Sequence, residues 1–256
     1  MLKIATWNVN SLRVRLPQVI KWLQHHTPDI LALQETKVTD NLFPSEDFNK
    51  LGYHALFAGQ KSYNGVALIS RHQGSEVITE LPTFPDPQRR VLGTTYGSLR
   101  VLNLYVPNGM TIGSDKYQYK LSWLKQLHDY ISTQQCYYSQ LIVLGDFNIA
   151  PTDKDLYNPK AWEGNILVSP AERNAFQALI NLGLYDTFRQ FEQPPASFSW
   201  WDYRADAFQR NHGVRIDFIL ASQTLINTCT SCLIDTQPRN SERPSDHAPV
   251  LATFNI

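Results

Sequence analysis

Apolar and polar positions alternate in short runs along most of this chain, and the runs read as strands. Leu2–Trp7, Ile30–Leu33, His54–Ala58, Val66–Ser70 and Val77–Leu81 are β-branched or apolar stretches closed by polar residues. Four more follow late in the chain, at Ser197–Trp201, Arg215–Leu220, Thr230–Ile234 and Pro249–Phe254. Leu99–Val106 and Leu141–Leu144 are nearly unbroken apolar runs, the pattern of strands covered on both faces. Helical spacing is clear in three places. Leu16, Val19, Ile20 and Leu23 fall on one face, with Pro17 expected in a first turn. Tyr117, Leu121, Leu124, Leu127 and Ile131 make a second stripe. Ser169-Pro170-Ala171-Glu172 is a capping box with proline at the first helical position; Ala175, Phe176, Leu179 and Ile180 follow, and Gly183 is placed to end that helix.

Strands outnumber helices, and neither a repeat nor a flexible linker interrupts the pattern; Pro82–Pro87 reads as a loop. The expectation is one domain over residues 1–256, of the α/β class, with sheets packed together and helices outside. Composition agrees: 43% hydrophobic and 18% charged residues exclude a disordered chain. No apolar run approaches the ~20 residues of a membrane-spanning helix, and Met1–Asn8 does not read as a secretory signal. Cys136, Cys229 and Cys232 cannot all pair, and the lone Cys229-x-x-Cys232 lacks a second ligand pair for zinc, so a reducing, cytoplasmic setting is expected.

The net charge of zero conceals an asymmetry. Residues 1–128 hold 14 Lys and Arg against 9 Asp and Glu, whereas residues 129–256 hold 9 against 14. A basic face and an acidic pocket are compatible with that neutral total. Polar residues gather where the apolar runs stop. Asn8 and Asn10 follow the first run, Gln34-Glu35 ends the second, Tyr105-Val106-Pro107-Asn108 ends a third and Gly145-Asp146-Phe147-Asn148 a fourth. Asp217 interrupts Val214–Ile219, and Ser245-Asp246-His247 precedes the last run. A carboxylate or amide inside such a run costs several kcal/mol unless it is paired or faces a wet site. Sheets bring such positions to a common rim. Glu35, Asp146, Asp217 and Asp246 are hard oxygen donors of the kind Mg²⁺ prefers, and Asp217 is suited to orient His247 toward a phosphate. The set describes phosphoester hydrolysis assisted by a metal.

Five strings, Trp7-Asn8-Val9-Asn10, Leu33-Gln34-Glu35-Thr36-Lys37, Gly145-Asp146-Phe147-Asn148, Arg215-Ile216-Asp217 and Ser245-Asp246-His247-Ala248-Pro249, stand in the order of one superfamily. The chain resembles the exonuclease III family of class II apurinic/apyrimidinic endonucleases, among the DNase I-like metal-dependent phosphoesterases, from Lys3 to Phe254. That resemblance implies a four-layer α/β sandwich of two mainly antiparallel β-sheets packed face to face, with the site on one rim. It implies Glu35 as the principal Mg²⁺ ligand, with Mn²⁺ able to substitute, and Asn8 and Asn10 holding the metal and its carboxylates. Some relatives have Asp where this chain has Asn10. Asp146 would position or deprotonate the attacking water, Asn148 would join it at the phosphate, and Asp246 with His247 would complete a second acidic locus. His247, oriented by Asp217, would bind the phosphate together with Tyr105, and Asn108 would add a further contact. Lys37, Tyr63, Asn64 and Arg90 match contacts to the duplex backbone. Trp200, Val214 and Ile216 match the wall of a pocket for an extruded abasic sugar, although Val214 is smaller than the aromatic of some relatives.

The implied activity is Mg²⁺-dependent DNA repair: incision 5′ to an abasic site leaving a 3′-hydroxyl, removal of 3′-blocking groups and 3′–5′ exonuclease action on duplex DNA, by a monomer without membrane association. Two readings compete with it. The same fold also hydrolyses inositol polyphosphates, sphingolipids and RNA. A non-catalytic relative that only binds is the other, and it is disfavoured because every expected catalytic position carries a competent residue.

Overall fold

The structure is a computed structural model covering residues 1–256. Its strands are β1 (Leu2–Asn8), β2 (Ile30–Gln34), β3 (His54–Ala58), β4 (Val66–Ser70), β5 (Ser75–Ile78), β6 (Val91–Tyr96), β7 (Leu99–Tyr105), β8 (Gln140–Asp146), β9 (Leu184–Asp186), β10 (Asp217–Ser222), β11 (Cys229–Ile234) and β12 (Val250–Phe254). The helices are α1 (Leu12–His26), α2 (Ser45–Asn49), α3 (Asp115–Gln135), α4 (Pro159–Trp162), α5 (Pro170–Asn181) and α6 (Gln223–Ile226).

Two six-stranded sheets form, in the orders β11-β12-β1-β2-β4-β3 and β5-β6-β7-β8-β10-β9. Each contains one parallel pair, β1 with β2 and β7 with β8, and every other pairing is antiparallel. The parallel pairs are where a helix must carry the chain back, and α1 and α3 do so. Strand alternation sorts the side chains into layers. Ile4, Ile30, Ala32, Val66 and Leu68 from the first sheet meet Leu92, Val101, Ile142, Leu144 and Ile219 from the second in one buried cluster. The opposite faces bury Ala5, Trp7, Leu31 and Leu33 against Leu12, Val19 and Leu23 of α1, and Val143, Phe218 and Leu220 against Trp123, Leu127 and Phe176 of α3 and α5. The result is the expected four-layer sandwich.

Local differences from the sequence pattern have physical causes. Strand β6 escaped the apolar pattern because Gly93 sits at its centre, where a Cβ would come within 2.7 Å of Ile78 and Leu102. Strand β9 is only three residues long. The Val77–Leu81 run pairs earlier, as β5, and Leu81 bridges only Phe84. Ser197–Trp201 is no strand: Trp200 makes single bridges to Val214 and His247, tying two loops together. Pro17 lies inside α1, beyond its first turn, because the helix begins at Leu12; the residue is exposed, so the ladder bond it cannot make is lost on the solvent side. The α5 capping box forms as expected, with Ser169 Oγ accepting from the Glu172 N–H at 3.3 Å and Glu172 Oε2 from the Ser169 N–H at 3.1 Å.

Gly145 precedes Asp146 with φ +139°, and a Cβ there would stand 1.9 Å from the Leu104 carbonyl oxygen of the neighbouring parallel strand. Gly145→Ala is therefore expected to lower stability by about 2–3 kcal/mol, read as a lower urea midpoint at unchanged slope. A midpoint equal to that of the parent chain would contradict this packing.

Candidate active site

The polar residues at the strand ends sit where alternation sends them. Asn8 is in phase with Ile4, Tyr105 with Val101, Asp146 with Ile142 and Leu144, and Asp217 with Ile219, all of which face the cleft between the sheets. Asn8, Tyr105 and Asp146 are the last residues of their strands, and Asp217 is the first of antiparallel β10, so all four fall at one level of the rim. Register then places Asp146 beside both Asp217 and Tyr105. Beyond the rim the chain turns sharply, with Asn10, Glu35, Lys37 and Asn148 all at positive φ, between 43° and 53°. Asn tolerates that region, but Glu and Lys do so at roughly 1–2 kcal/mol each, and such strain gathers where function fixes the backbone.

One amide joins the acidic groups. Asn8 Nδ2 donates to Glu35 Oε1 and to Asp146 Oδ2, each at 2.9 Å. Asn8 Oδ1 accepts from the Asn10 N–H at 3.0 Å, so Asn8 serves the carboxylates and has no amide proton to spare. Asn10 behaves likewise, donating to Asp246 Oδ1 at 2.9 Å and accepting from Lys37 Nζ at 2.6 Å. Lys37 also pairs with Glu35 Oε2 at 2.9 Å; the residue expected at the duplex backbone lies inside the acidic cluster. Asp246 is held from its other side by Trp200 Nε1 at 2.9 Å.

His247 is buried, and its Nδ1 lies 2.9 Å from Asp217 Oδ2 while its Nε2 lies 3.8 Å from Asp146 Oδ2. Burial by itself would drive the imidazole to its neutral form, but the charges of Asp217 and Asp146 prevail and raise its pKa to about 10. Pairing of Nδ1 with Asp217 favours the charged imidazole and leaves Nε2 on the Asp146 side of the cleft. Asp146 is shifted upward to about 7, chiefly by burial; His247 opposes that shift and Asp217 adds to it. Asp246 is held below the usual carboxylate range: burial works against this, and His247 with the hydrogen bonds from Trp200 and Asn10 outweighs it. Tyr105 is pushed well up by burial and then by the charges of Glu35 and Asp146, so its phenol stays protonated. The Arg90 guanidinium lies 4.7 Å from the Tyr105 ring centre and donates to the Tyr105 carbonyl at 3.2 Å.

Asn148 Nδ2 spends both hydrogens, on the Val106 carbonyl at 3.0 Å and Asp146 Oδ2 at 3.2 Å, and its Oδ1 accepts from Asn108 Nδ2 at 3.1 Å. Exposed Asn108 keeps one amide hydrogen free. Tyr63 is 71% exposed near this rim, whereas Asn64 is buried and donates to Gln60 Oε1 at 2.9 Å, shaping the loop instead of facing out. Trp200 is half-buried on a cluster containing Val214 and Ile216, with Trp162 edge-on at 6.5 Å. Val214 and Ile216 are 0% and 2% exposed. The sequence reading of those two as pocket wall is thereby corrected: they back Trp200 and present no surface of their own. Trp201 is core.

Residues that the strand-end pattern did not reveal complete the support. Ser199 Oγ accepts from the Ile216 and Asp217 N–H groups at 3.0 and 3.1 Å, fixing the start of β10. Asn103 accepts from Gln34 Nε2 at 2.7 Å and donates to the Leu33 and Ala67 carbonyls, pinning the two sheets beneath the site. A single amide in the apolar run 99–106 was the available signal for Asn103. Ligand atoms of Glu35, Asp146 and His247 lie within 4.8 Å of one another. With His247 protonated, the donors left are carboxylate oxygens, a hard set that fits a cation such as Mg²⁺, and Lys37 supplies positive charge to Glu35 at that point.

Comparison with known proteins agrees with this geometry. The family model described as Endonuclease/Exonuclease/phosphatase family matches residues 5–247. Exodeoxyribonuclease III of Haemophilus influenzae is 37% identical over 99% of this chain and 100% of that protein. Among solved structures, a 3′ phosphatase from Neisseria bound to a product DNA hairpin superposes with a TM-score of 0.98 at 45% identity, covering 100% of both chains. An AP endonuclease from Archaeoglobus fulgidus does so at 0.97 and 40%, again over 100% of both.

The His247 charge provides a test of these electrostatics. Asp217→Asn removes the nearest anion while burial persists, so the His247 titration is expected to fall from about 10 by at least about two pH units, followed by NMR of the imidazole. An unchanged titration would show that Asp217 does not govern His247.

Proposed function

The chain belongs to the Endonuclease/Exonuclease/phosphatase family, and from that premise we propose that it is a metal-dependent DNA repair hydrolase of the exonuclease III kind. The observation that carries this reading is the buried rim where Asn8 bridges Glu35 and Asp146 beside the Asp217–His247 pair. Its substrate is DNA, with abasic sites and blocked or free 3′ ends as the points of attack. The similarity to the Neisseria 3′ phosphatase bound to a product DNA hairpin supports the 3′-end part of this assignment.

Glu35 and Asp146 would hold the cation, with Asp246 nearby as a further carboxylate. Mg²⁺ is the natural choice for such oxygen donors, and Mn²⁺ can replace it. Such an ion neutralises charge that develops on the phosphate during hydrolysis. Everything else falls to the protein. Asp146, held by the Asn8 and Asn148 amides beside the Asp217–His247 pair, is placed to take the proton of a water attacking phosphorus. The His247 Nε2–H and the Tyr105 phenol are fixed donors for the non-bridging phosphate oxygens, and Asp217 holds the imidazole in place. Asn148 keeps Asp146 oriented, and Asn108 offers its free amide hydrogen to the same phosphate. Asn8 and Asn10 set the spacing of the carboxylates rather than binding the ion themselves.

Lys37 would leave Glu35 when a cation arrives and turn to the DNA backbone, joining Arg90 and exposed Tyr63. A flipped abasic sugar would rest on Trp200, backed by Val214, Ile216 and Trp162; a nucleotide with its base would not fit against that wall. We read the protein as a monomer working in a reducing, cytoplasmic environment, which its three unpaired cysteines suit. No helix is long and apolar enough to cross a membrane.

A 5′-labelled duplex with one tetrahydrofuran abasic analogue tests the assignment. Incision immediately 5′ to the analogue is expected with Mg²⁺ and none with EDTA. Glu35→Ala and Asp146→Ala are each expected to lower the rate at least about 10³-fold with the fold intact by circular dichroism. Full rate in both variants, or faster turnover of small phosphate esters than of DNA, would overturn it. Trp200→Ala is expected to cost abasic incision about tenfold more than it costs removal of a 3′ phosphate; equal losses would remove Trp200 from the sugar pocket.

A further inference from the structure

A second charged pair lies behind the site, wholly enclosed. Lys120 of α3 and Glu172 of α5 have 0% side-chain exposure each, with Lys120 Nζ 2.5 Å from Glu172 Oε1. A buried ion pair is weak evidence for stability, since apolar residues of the same volume would often serve as well. What distinguishes this one is where the ammonium spends its other hydrogens. Lys120 Nζ donates to the Asn148 main-chain carbonyl at 2.6 Å and to that of Asn108 at 3.2 Å. Those residues lie on the loops leaving β8 and β7, and their side chains join each other through Asn108 Nδ2 and Asn148 Oδ1. The lysine stem packs under Gly109, where φ is +93° and a Cβ would stand 3.1 Å from Lys120 Cδ. Glu172 is committed as well: its two oxygens accept from the N–H groups of Leu167 and Ser169. Tyr117 and Ser169 add a second link between the same helices at 2.6 Å.

We infer that Lys120 is a positioning residue for phosphodiester hydrolysis: its ammonium locks the Asn108 and Asn148 loops to each other, and Glu172 neutralises it in place. This rests on the proposed function above. The Asn148 amide in turn orients Asp146, so a shift of the loop reaches the group assigned to the attacking water. Displacement of a reacting group by about 1 Å is worth about 10²-fold in rate. Lys120 touches neither substrate nor metal donor, and its effect is expected in kcat more than in KM.

Three variants separate positioning from stability. Lys120→Met removes the donor and leaves Glu172 buried without a partner. Lys120→Met/Glu172→Gln removes the donor without leaving a charge. Glu172→Gln removes the counter-charge, while Lys120 Nζ, charged or neutral, retains at least two hydrogens for the two carbonyls. On abasic duplex with Mg²⁺, below each variant's melting temperature, kcat is expected to fall about 10–100-fold in both lysine variants while KM changes less than about threefold. In Glu172→Gln it should stay within about threefold of the parent, whatever its melting temperature. The side-chain amide resonances of Asn148 should move in the lysine variants only. Parent kcat in the double variant, or kcat tracking melting temperature across all three, would overturn the inference. If neither lysine variant folds, Glu172→Gln decides: retained kcat at lowered stability supports positioning, and a matching loss of kcat contradicts it. Failure of the parent chain to cut DNA would instead strike the functional assignment.

Discussion

Asn8 holds Glu35 and Asp146 together through the two hydrogens of one amide, and the rest of the site can be understood from the cost of that arrangement. Two like charges brought to the same nitrogen at a closed rim repel each other and lose hydration. The structure answers with positive charge from two directions. Lys37 pairs with Glu35 on the wetter side, and His247 faces Asp146 from the buried side. His247 can do so only because Asp217 lies across from Asp146 on the adjacent antiparallel strand and keeps the imidazole charged. A divalent cation would answer the same repulsion at Glu35 and Asp146.

The fold makes the rim from repetition. In each sheet a strand, a helix and a parallel strand run in succession, β1-α1-β2 and β7-α3-β8, and the two parallel pairs end side by side at the cleft. Parallel neighbours finish at the same level, so residues just after them, Asn10 and Glu35 in one sheet and Asn108 and Asn148 in the other, become neighbours without long loops. Antiparallel β10 begins where β8 ends and contributes Asp217 to the same level. Below it, Gln34 and Asn103 tie the two sheets together.

Much of this was legible in the amino-acid sequence because it rests on period and on polar interruptions. The uninterrupted Leu141–Leu144 run and its terminal Asp146, the capping box at Ser169 and the Asp217 interruption all carry strong local signals. Other features depend on partners that no local pattern names. Val214 and Ile216 read as pocket lining until the structure placed Trp200 above them. Strand β6 is held by neighbours that require Gly93, a residue that locally argues against a strand. Lys37 matches a duplex-backbone contact in the sequence, yet the left-handed turn at Glu35 brings it back onto the carboxylate. Lys120 did leave a trace, lying three residues beyond Tyr117 and seven before Leu127 on the apolar stripe of α3, where a surface lysine does not belong.

We propose Glu35 and Asp146 as the cation site, with the Lys37 ammonium leaving Glu35 when the ion binds. Manganese is a direct probe, because its anomalous scattering locates the ion in a crystal of the intact protein. An ion bound by Glu35 and Asp146 oxygens, with Lys37 Nζ withdrawn from its 2.9 Å contact with Glu35, is expected. An ion bound elsewhere at saturating manganese, with the Lys37–Glu35 pair still closed, would contradict it.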